Sequence, residues 1–320
     1  MSWKPRIFYV PHRDARLSGP FAAGQGRGNV NKILFATDLS ISAETALGYA
    51  GAVAKKVDAS IFGVYAFDVP RFLIAEDSAA SSQELERLKK EYTERLSDFF
   101  SHPALVDVRT EFQLSKGYPE EALGSLILES KSDVSMVARH RRASIESFFL
   151  GADSEKILRL ATRPIWVVPE DGVMTTKWNP IVVAVDFSVP SKEALAFAIR
   201  MSGDYGAHLT VVHVMDVGTS VGRHLDRFEA HFGPHIEERR ARLQRLVERY
   251  GAPRDTETVV VAGTPGQRLL EIADQRKTDL LILGIHGDRM QETVGLGYTA
   301  SALLRLARFP LILCPAGRAS

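Results

Sequence analysis

The chain has almost no cysteine, almost no net charge and no long apolar run, and each shortage removes a class of protein. Cys314 is the single cysteine in 320 residues, so an intrachain disulfide is excluded and a reducing compartment is the natural reading. It stands in an apolar run near the end, where a small buried hydrophobe is a simpler role than a nucleophile. Lys and Arg number 40 against 39 Asp and Glu, a formal charge of +1, so bulk electrostatics give no pull toward nucleic acid or a membrane surface. No window approaches the roughly 18 apolar residues of a spanning helix, and the first thirty residues lack the apolar region of a secretory signal. A cytoplasmic protein is expected. The sequence also lacks a GxxxxGK[ST] loop, a GxSxG elbow, an HExxH pair and any paired Cys/His spacing, which removes the commonest nucleotidase, hydrolase and zinc signatures. His224, His231 and His235 cluster, but Gly233-Pro234 is expected to break a helix between the last two, so a surface loop is the simpler reading and no metal site is assigned.

What is present is a sequence written twice. Ile33–Val69 (ILFATDLS…VYAFDV) realigns without a gap on Ile181–Val217 (IVVAVDFS…VHVMDV), 148 positions later. Gly117–Pro169 realigns on Gly263–Pro315 at an offset of 146, matching RLATRP to RLARFP. A repeat of this length is a whole domain rather than a solenoid unit. The expected organisation is an arm over residues 1–30, rich in Gly, Ala, Arg and Pro, a first domain over 31–169, a linker over 170–179 and a second domain over 180–316.

Both repeats alternate short apolar runs with helical patterns, which predicts parallel strands joined by crossover helices. In the first, strands are expected at Ile33–Thr37, Ile61–Phe67, Val106–Leu114, Val134–Ala138 and Ile165–Val168. Ser42 is a candidate N-cap for a helix running toward Lys56. Leu85, Leu88, Tyr92, Leu96 and Phe99 form one apolar stripe on a long charged helix. Further helices are expected over Pro119–Ser130 and Glu155–Ala161. In the second, strands are expected at Ile181–Val185, Leu209–Met215, Glu257–Ala262, Leu280–Leu283 and Leu311–Cys314. Ile236, Leu243, Leu246, Val247 and Tyr250 mark the long helix, whose arginines alternate with Glu237, Glu238 and Glu248 as on a solvated face. Strands alternating with helices make an open, doubly wound α/β sheet, and ligands of such sheets sit outside the carboxyl ends of the strands.

At such an end the second repeat carries Gly284-Ile285-His286-Gly287, nine residues, then Gly297-Tyr298-Thr299. Glycines let backbone approach a ligand closely, and a helix opening after Gly297 would offer free N–H groups to an anion. Thr299 could add a hydroxyl donor. The first repeat departs from this pattern. In the same alignment Gly284 becomes Ala138 and Gly287 becomes Arg141, while Gly151 survives before Ala152. Arg139, His140, Arg141 and Arg142 admit a second reading, side-chain anion binding through guanidinium forks, and this cluster alone would suggest a hydrolase or transferase pocket. Asp38 and Asp186 end equivalent strands, each two residues before a serine, where turn-and-cap chemistry and ligand contact are both open. His140 and His286 also correspond, as hydrogen-bonding groups in the loop rather than general bases.

Gly-x2-Gly-x9-Gly after LILG, with HVMD ending the second strand and AVDFS the first, resembles the universal stress protein family. The resemblance covers both halves of the chain. It implies two tandem flavodoxin-like (Rossmann-like) domains, each a five-stranded parallel sheet of order 3-2-1-4-5 with helices on both faces. It also implies ATP or AMP, with or without magnesium, bound in the second domain. By position, Asp186 and the Val214 backbone would face adenine and ribose, while Gly284, His286, Gly287, Gly297, Tyr298 and Thr299 would surround ribose and phosphates. Tyr298 stands where the family has Ser or Thr. The first domain would be a degenerate copy whose site positions are Asp38, Arg139, His140, Arg141, Gly151 and Ser154. The resemblance further implies that Ile165–Val168 and Leu311–Cys314 pair as an intramolecular pseudo-dimer, with a homodimer open. The expected function is a nucleotide-binding sensor or regulator offering a surface to a protein partner, at most a slow ATPase. An interaction scaffold with both pockets closed is the alternative.

Overall fold

The computed structural model describes residues 7–9, 30–67, 79–116, 130–139, 161–171, 174–218, 229–287 and 296–316. The chain divides into two compact units, Met1–Ala161 and Thr162–Ser320.

In the first unit, strands β2 (Lys32–Thr37), β3 (Ser60–Phe67), β4 (Thr110–Lys116) and β5 (Val134–Arg139) lie in the order β4-β3-β2-β5, all parallel. Helix α1 (Ile41–Val57) follows β2 because Ser40 caps it, its hydroxyl accepting from Ala43 N at 3.2 Å. Glu44 stands in the first turn and Lys55 and Lys56 in the last, each favourable to the helix dipole. Ser42 is therefore not the cap; it lies inside the helix and is buried. Only Ser40 has the extended backbone that directs a hydroxyl back onto the first turn. Helix α2 (Ala79–Phe100) carries the stripe read from the sequence and ends in an aromatic cluster. There Phe100 stacks on Phe112 at 5.5 Å and meets Phe35 edge-on at 6.3 Å. A Cβ on Gly63 would come within 2.0 Å of the Phe100 ring, so the glycine in β3 makes room for it.

Two features differ from the sequence reading. Strand β4 starts at Thr110 rather than Val106, because a 3-10 turn at Pro103–Leu105 and a left-handed Asp107 (φ 68°) precede it and leave Val106 exposed. A short strand β1 (Ile7–Tyr9) within the arm pairs antiparallel with the outer side of β4, Phe8 opposite Phe112.

In the second unit, β7 (Ile181–Ala184), β8 (Leu209–Asp216), β9 (Glu257–Gly263), β10 (Leu280–Gly284) and β11 (Leu311–Cys314) form a parallel sheet of order β9-β8-β7-β10-β11. This is the 3-2-1-4-5 order. Ile181–Val183, Leu280–Leu283 and Leu311–Cys314 are buried almost completely, as central parallel strands covered on both faces must be. Strand β6 (Ile165–Pro169) belongs to this unit and pairs antiparallel with β11, Trp166 opposite Ile312. Trp166 lies 5.4 Å from Trp178, which meets Tyr205 edge-on at 4.8 Å. Trp178 is fully buried, so the polar stretch read as a linker is anchored to this unit by that indole.

Helix α3 (Val189–Tyr205) repeats the design of α1, with Ser188 as N-cap and Gly206 in the left-handed region (φ 62°) as C-cap. Helix α4 (Glu229–Arg249) buries Leu243 and Val247. It runs through Pro234, so the expected break at Gly233-Pro234 is absent. A proline near the start of a long helix forfeits a single backbone bond. Helix α5 (Pro265–Gln275) and helix α6 (Tyr298–Leu306) complete the unit. The helices α4 and α5 cover opposite faces of β9: Thr258 reaches Gln244 on one side, while a Cβ on Gly263 would meet Arg268 on the other. The helices expected over Pro119–Ser130 and Glu155–Ala161 fall mostly outside the described residues. Among the described residues no helix is long and apolar enough to cross a membrane.

Candidate functional site

The turn after β7 is built on one carboxylate. Asp186 Oδ1 accepts from Ser188 N at 3.0 Å and from the Ser188 hydroxyl at 2.5 Å. Phe187 between them is held left-handed at φ 70°, a conformation unfavourable to a bulky residue and maintained only by its surroundings. Ser188 Oγ in turn accepts from Ser191 N at 3.3 Å to start α3, and Ser191 Oγ accepts from Asp186 N at 3.3 Å. The first unit has the same device: Ser40 N donates to Asp38 Oδ1 at 3.1 Å, and Leu39 is left-handed at φ 62°. Asp38 and Asp186 are therefore turn-and-cap residues in both units.

Asp186 has a second oxygen, and it points at the glycine loop. A Cβ on Gly287 would lie 2.6 Å from Asp186 Oδ2. Gly297 closes onto the same loop, its N–H donating to Ile285 O at 3.0 Å, while Ile285 N donates to Cys314 O at 2.9 Å. A Cβ on Gly297 would approach Ile285 O to 3.2 Å and His286 Cα to 3.4 Å. The loop after β10 and the start of α6 are thus sewn together at the carboxyl end of the sheet. Gly297 is the N-cap of α6 and has no side chain to cap it, and no acidic residue stands in the first turn. The N-terminal N–H groups of a helix attract anions. Thr299 is half-buried in that turn, whereas Tyr298 is 71% exposed.

Gly284 belongs to packing rather than to this cradle. A Cβ there would lie 2.8 Å from Ser191 N and 2.9 Å from Pro190 Cβ, so its bareness lets the start of α3 sit on β10. Val214 is half-buried near the end of β8. The structure thus brings Asp186, His286, Gly287 and Gly297 together, with Tyr298 and Thr299 on the helix that Gly297 caps.

Sequence reading missed the groups that hold the turn. His213, one residue before Val214, is buried, with Nδ1 2.7 Å from Val185 O. Its ring lies 4.6 Å from Phe187, and the Arg242 guanidinium covers the Phe187 ring at 4.0 Å. Burial pushes the His213 pKa down, and Arg239 and Arg242 act the same way, against the Val185 carbonyl and Asp186. The D-x-S spacing was a signal for the serines, but nothing in the sequence marked the stack.

The first unit fills the equivalent region differently. Tyr65, which aligns with His213, packs 5.4 Å from Tyr92, and Tyr92 lies 5.3 Å from Phe67. Burial and Tyr92 push the Tyr65 phenol up to about 12. Arg139 stands buried at the end of β5, where the second unit has Ile285. His140, Arg141, Arg142, Gly151 and Ser154 lie outside the described residues, as do His224 and the loop between Gly287 and Leu296. Among the described residues no three His, Cys, Asp or Glu side chains group as metal ligands.

Two tandem α/β units, the second with a glycine loop at the carboxyl end of its sheet, match known proteins. The model of the Universal stress protein family matches residues 29–169 and again 177–315. The chain is a tandem member of the universal stress protein family. That membership places it among stress-response proteins. It is 25% identical over 140 residues to a universal stress protein of Methanocaldococcus jannaschii, covering 42% of this chain and 81% of that one. A universal stress protein of Archaeoglobus fulgidus has the same fold, with a TM-score of 0.66 at 19% identity, over 91% of this chain and 98% of the other. A Pseudomonas aeruginosa protein of unknown function superposes with a TM-score of 0.55 at 14% identity, over 90% of this chain and 93% of its own.

Proposed function

We propose that the second unit binds an adenine nucleotide, ATP or AMP, at the carboxyl ends of β7, β8 and β10, and that the protein acts by binding rather than by turnover. One observation carries the reading. The bare positions of Gly287 and Gly297 leave backbone beside Asp186 Oδ2 and beside the uncapped start of α6. A carboxylate acceptor next to free helix N–H groups suits a ribose hydroxyl followed by phosphates. The resemblance to the nucleotide-binding branch of the family supplies the base. Asp186 and the backbone at Val214 would face adenine and ribose, and Gly287, Gly297 and the amides of Tyr298 and Thr299 would hold the phosphates. The first unit, with Arg141 aligned on Gly287 and an aromatic cluster around Tyr65, is read as a largely structural copy. In this reading the nucleotide biases the surface offered to a protein partner.

The exposed Tyr298 supports a second reading, a scaffold that binds no nucleotide. Native mass spectrometry of the freshly purified full chain, followed by denaturation and identification of released small molecules, separates the two. One adenine nucleotide per chain, lost in Gly287→Arg, is expected. Two per chain would restore the first unit as a site. None, with no ATP binding by calorimetry up to millimolar concentration, would refute the proposal.

A further inference from the structure

The two units treat the same sheet edge differently. The third strand of the repeat is β4 in the first unit and β9 in the second, and each is the outermost parallel strand. The first unit covers its edge with β1, Ile7 opposite Gln113 and Tyr9 opposite Glu111. The outer side of β9 has no strand partner among the described residues. Among the described residues one arm strand serves two equivalent edges, and the outer edge of β9 is the one left without a partner strand.

That edge is poorly defended. Its sequence is Glu257-Thr-Val-Val-Val-Ala-Gly263, with no Lys or Pro and with Val259 and Val261 half-exposed. Natural edge strands are normally blunted by charge, proline, bulges or a covering segment, because unpaired backbone groups template another strand. It is also complementary to itself. Antiparallel pairing of two β9 strands about Val260 sets Val260 opposite Val260, Val259 opposite Val261, Thr258 opposite Ala262 and Glu257 opposite Gly263. β-branched residues then face one another across the pair, which favours sheet. The one charge in the strand never meets its own kind. Glu257 instead meets the bare Gly263 of the other copy, over which Arg268 lies, its Cγ 2.6 Å from where a Cβ would be. Glu257 and Gly263 have the same parity in the strand, so both sit on the α5 face. Glu257 is already paired with Arg276 and Arg268 with Glu271 within each copy, so the seam brings no like charges into contact and leaves no charge unpaired.

We propose that β9 is the interface to a second copy of this chain, the two strands pairing antiparallel about a two-fold axis at Val260 to make one continuous sheet. The inference rests on the edge alone and stands whether or not a nucleotide binds.

The test is sedimentation velocity of the full chain with and without Val259→Lys, together with oxidative cross-linking of Val260→Cys. The wild type should sediment as a two-chain species, and V259K should weaken that association about tenfold or more, since it puts like charge on both sides of the seam. Circular dichroism melts establish that V259K is folded. V260C should give a covalent dimer on non-reducing electrophoresis that reduction removes, the native Cys314 being buried. A wild type that stays a single chain, a folded V259K that dimerises as the wild type does, or a V260C without covalent dimer overturns the proposal. So does a cross-link between Phe8→Cys of one copy and Thr258→Cys of another, which would put the exchanged arm on this edge.

Discussion

Asp186 and Gly287 share one volume: a Cβ on the glycine would come within 2.6 Å of the carboxylate Oδ2. The other oxygen is committed to Ser188, through both its N–H and its hydroxyl. One side chain thus shapes the turn with one oxygen and faces the glycine loop with the other. In the first repeat the aligned pair is Asp38 and Arg141, so the position that is bare in the second repeat carries a long side chain in the sequence of the first.

Gly287→Arg is accordingly expected to remove nucleotide binding from the second unit. A loss of at least about tenfold in ATP affinity follows if backbone can no longer approach the phosphates. Calorimetry on a variant shown by circular dichroism to be folded checks it. Unchanged affinity would move the ligand away from this loop.

Gly284→Ala should act on stability instead. Its Cβ would meet the backbone of Ser191 and Pro190 at 2.8–2.9 Å, and neither is a flexible side chain that can yield. Overpacking of this kind costs about 1–3 kcal/mol, read as a lowered urea midpoint with unchanged m-value. A neutral result would show that α3 can shift away from β10 freely.

The two serine caps give a paired prediction. Ser40→Ala and Ser188→Ala each remove the acceptor for a first-turn N–H, Ala43 N in one unit and Ser191 N in the other. Each should cost about 1 kcal/mol. Ser188→Ala additionally breaks the 2.5 Å bond to Asp186, so it alone is expected to weaken nucleotide binding. Equal effects of both on binding would argue against that coupling.

His213 makes the second unit sensitive to acid. Its folded pKa is pushed below the ordinary value, chiefly by burial and then by Arg239 and Arg242, despite the Val185 carbonyl and Asp186. A depressed folded pKa means that the unfolded chain takes up the proton first. The contribution of neutral His213 is therefore complete above about pH 6.5 and is lost as pH falls from there through the folded value. Denaturant melts at descending pH should show this, and His213→Tyr, the residue its sister repeat uses, should flatten the profile. An unchanged slope in the variant would assign the acid sensitivity elsewhere.

Much of this was legible in the residues. Strand β11 was read with its observed limits, and β7 and β10 to within one residue, because central parallel strands are continuous apolar runs bounded by turn residues. The stripe of α2 and the glycine loop were equally plain. Errors fell where local signals compete. Two serines stood near the start of α1, and the choice of Ser40 depends on a left-handed Leu39 that no propensity announces. Val106 has a strand-former's side chain, yet a 3-10 turn precedes the strand and leaves it exposed. Pro234 was weighed as a helix breaker, whereas packing of Leu243 and Val247 carries α4 through it.

By itself the sequence determined that this chain is two copies of one α/β domain, which residues lie in its strands, and which copy keeps its glycines. Those properties follow from periodicity and residue type, which are local. Only the tertiary structure decided that Asp186 Oδ2 faces Gly287, that Gly284 serves packing, that His213, Phe187 and Arg242 stack, and that among the described residues one outer edge is covered while its twin has no partner strand. Each depends on contacts between segments far apart in the chain, made where close packing leaves no room for a side chain or no partner for an edge. Spacing along the sequence carries no record of either.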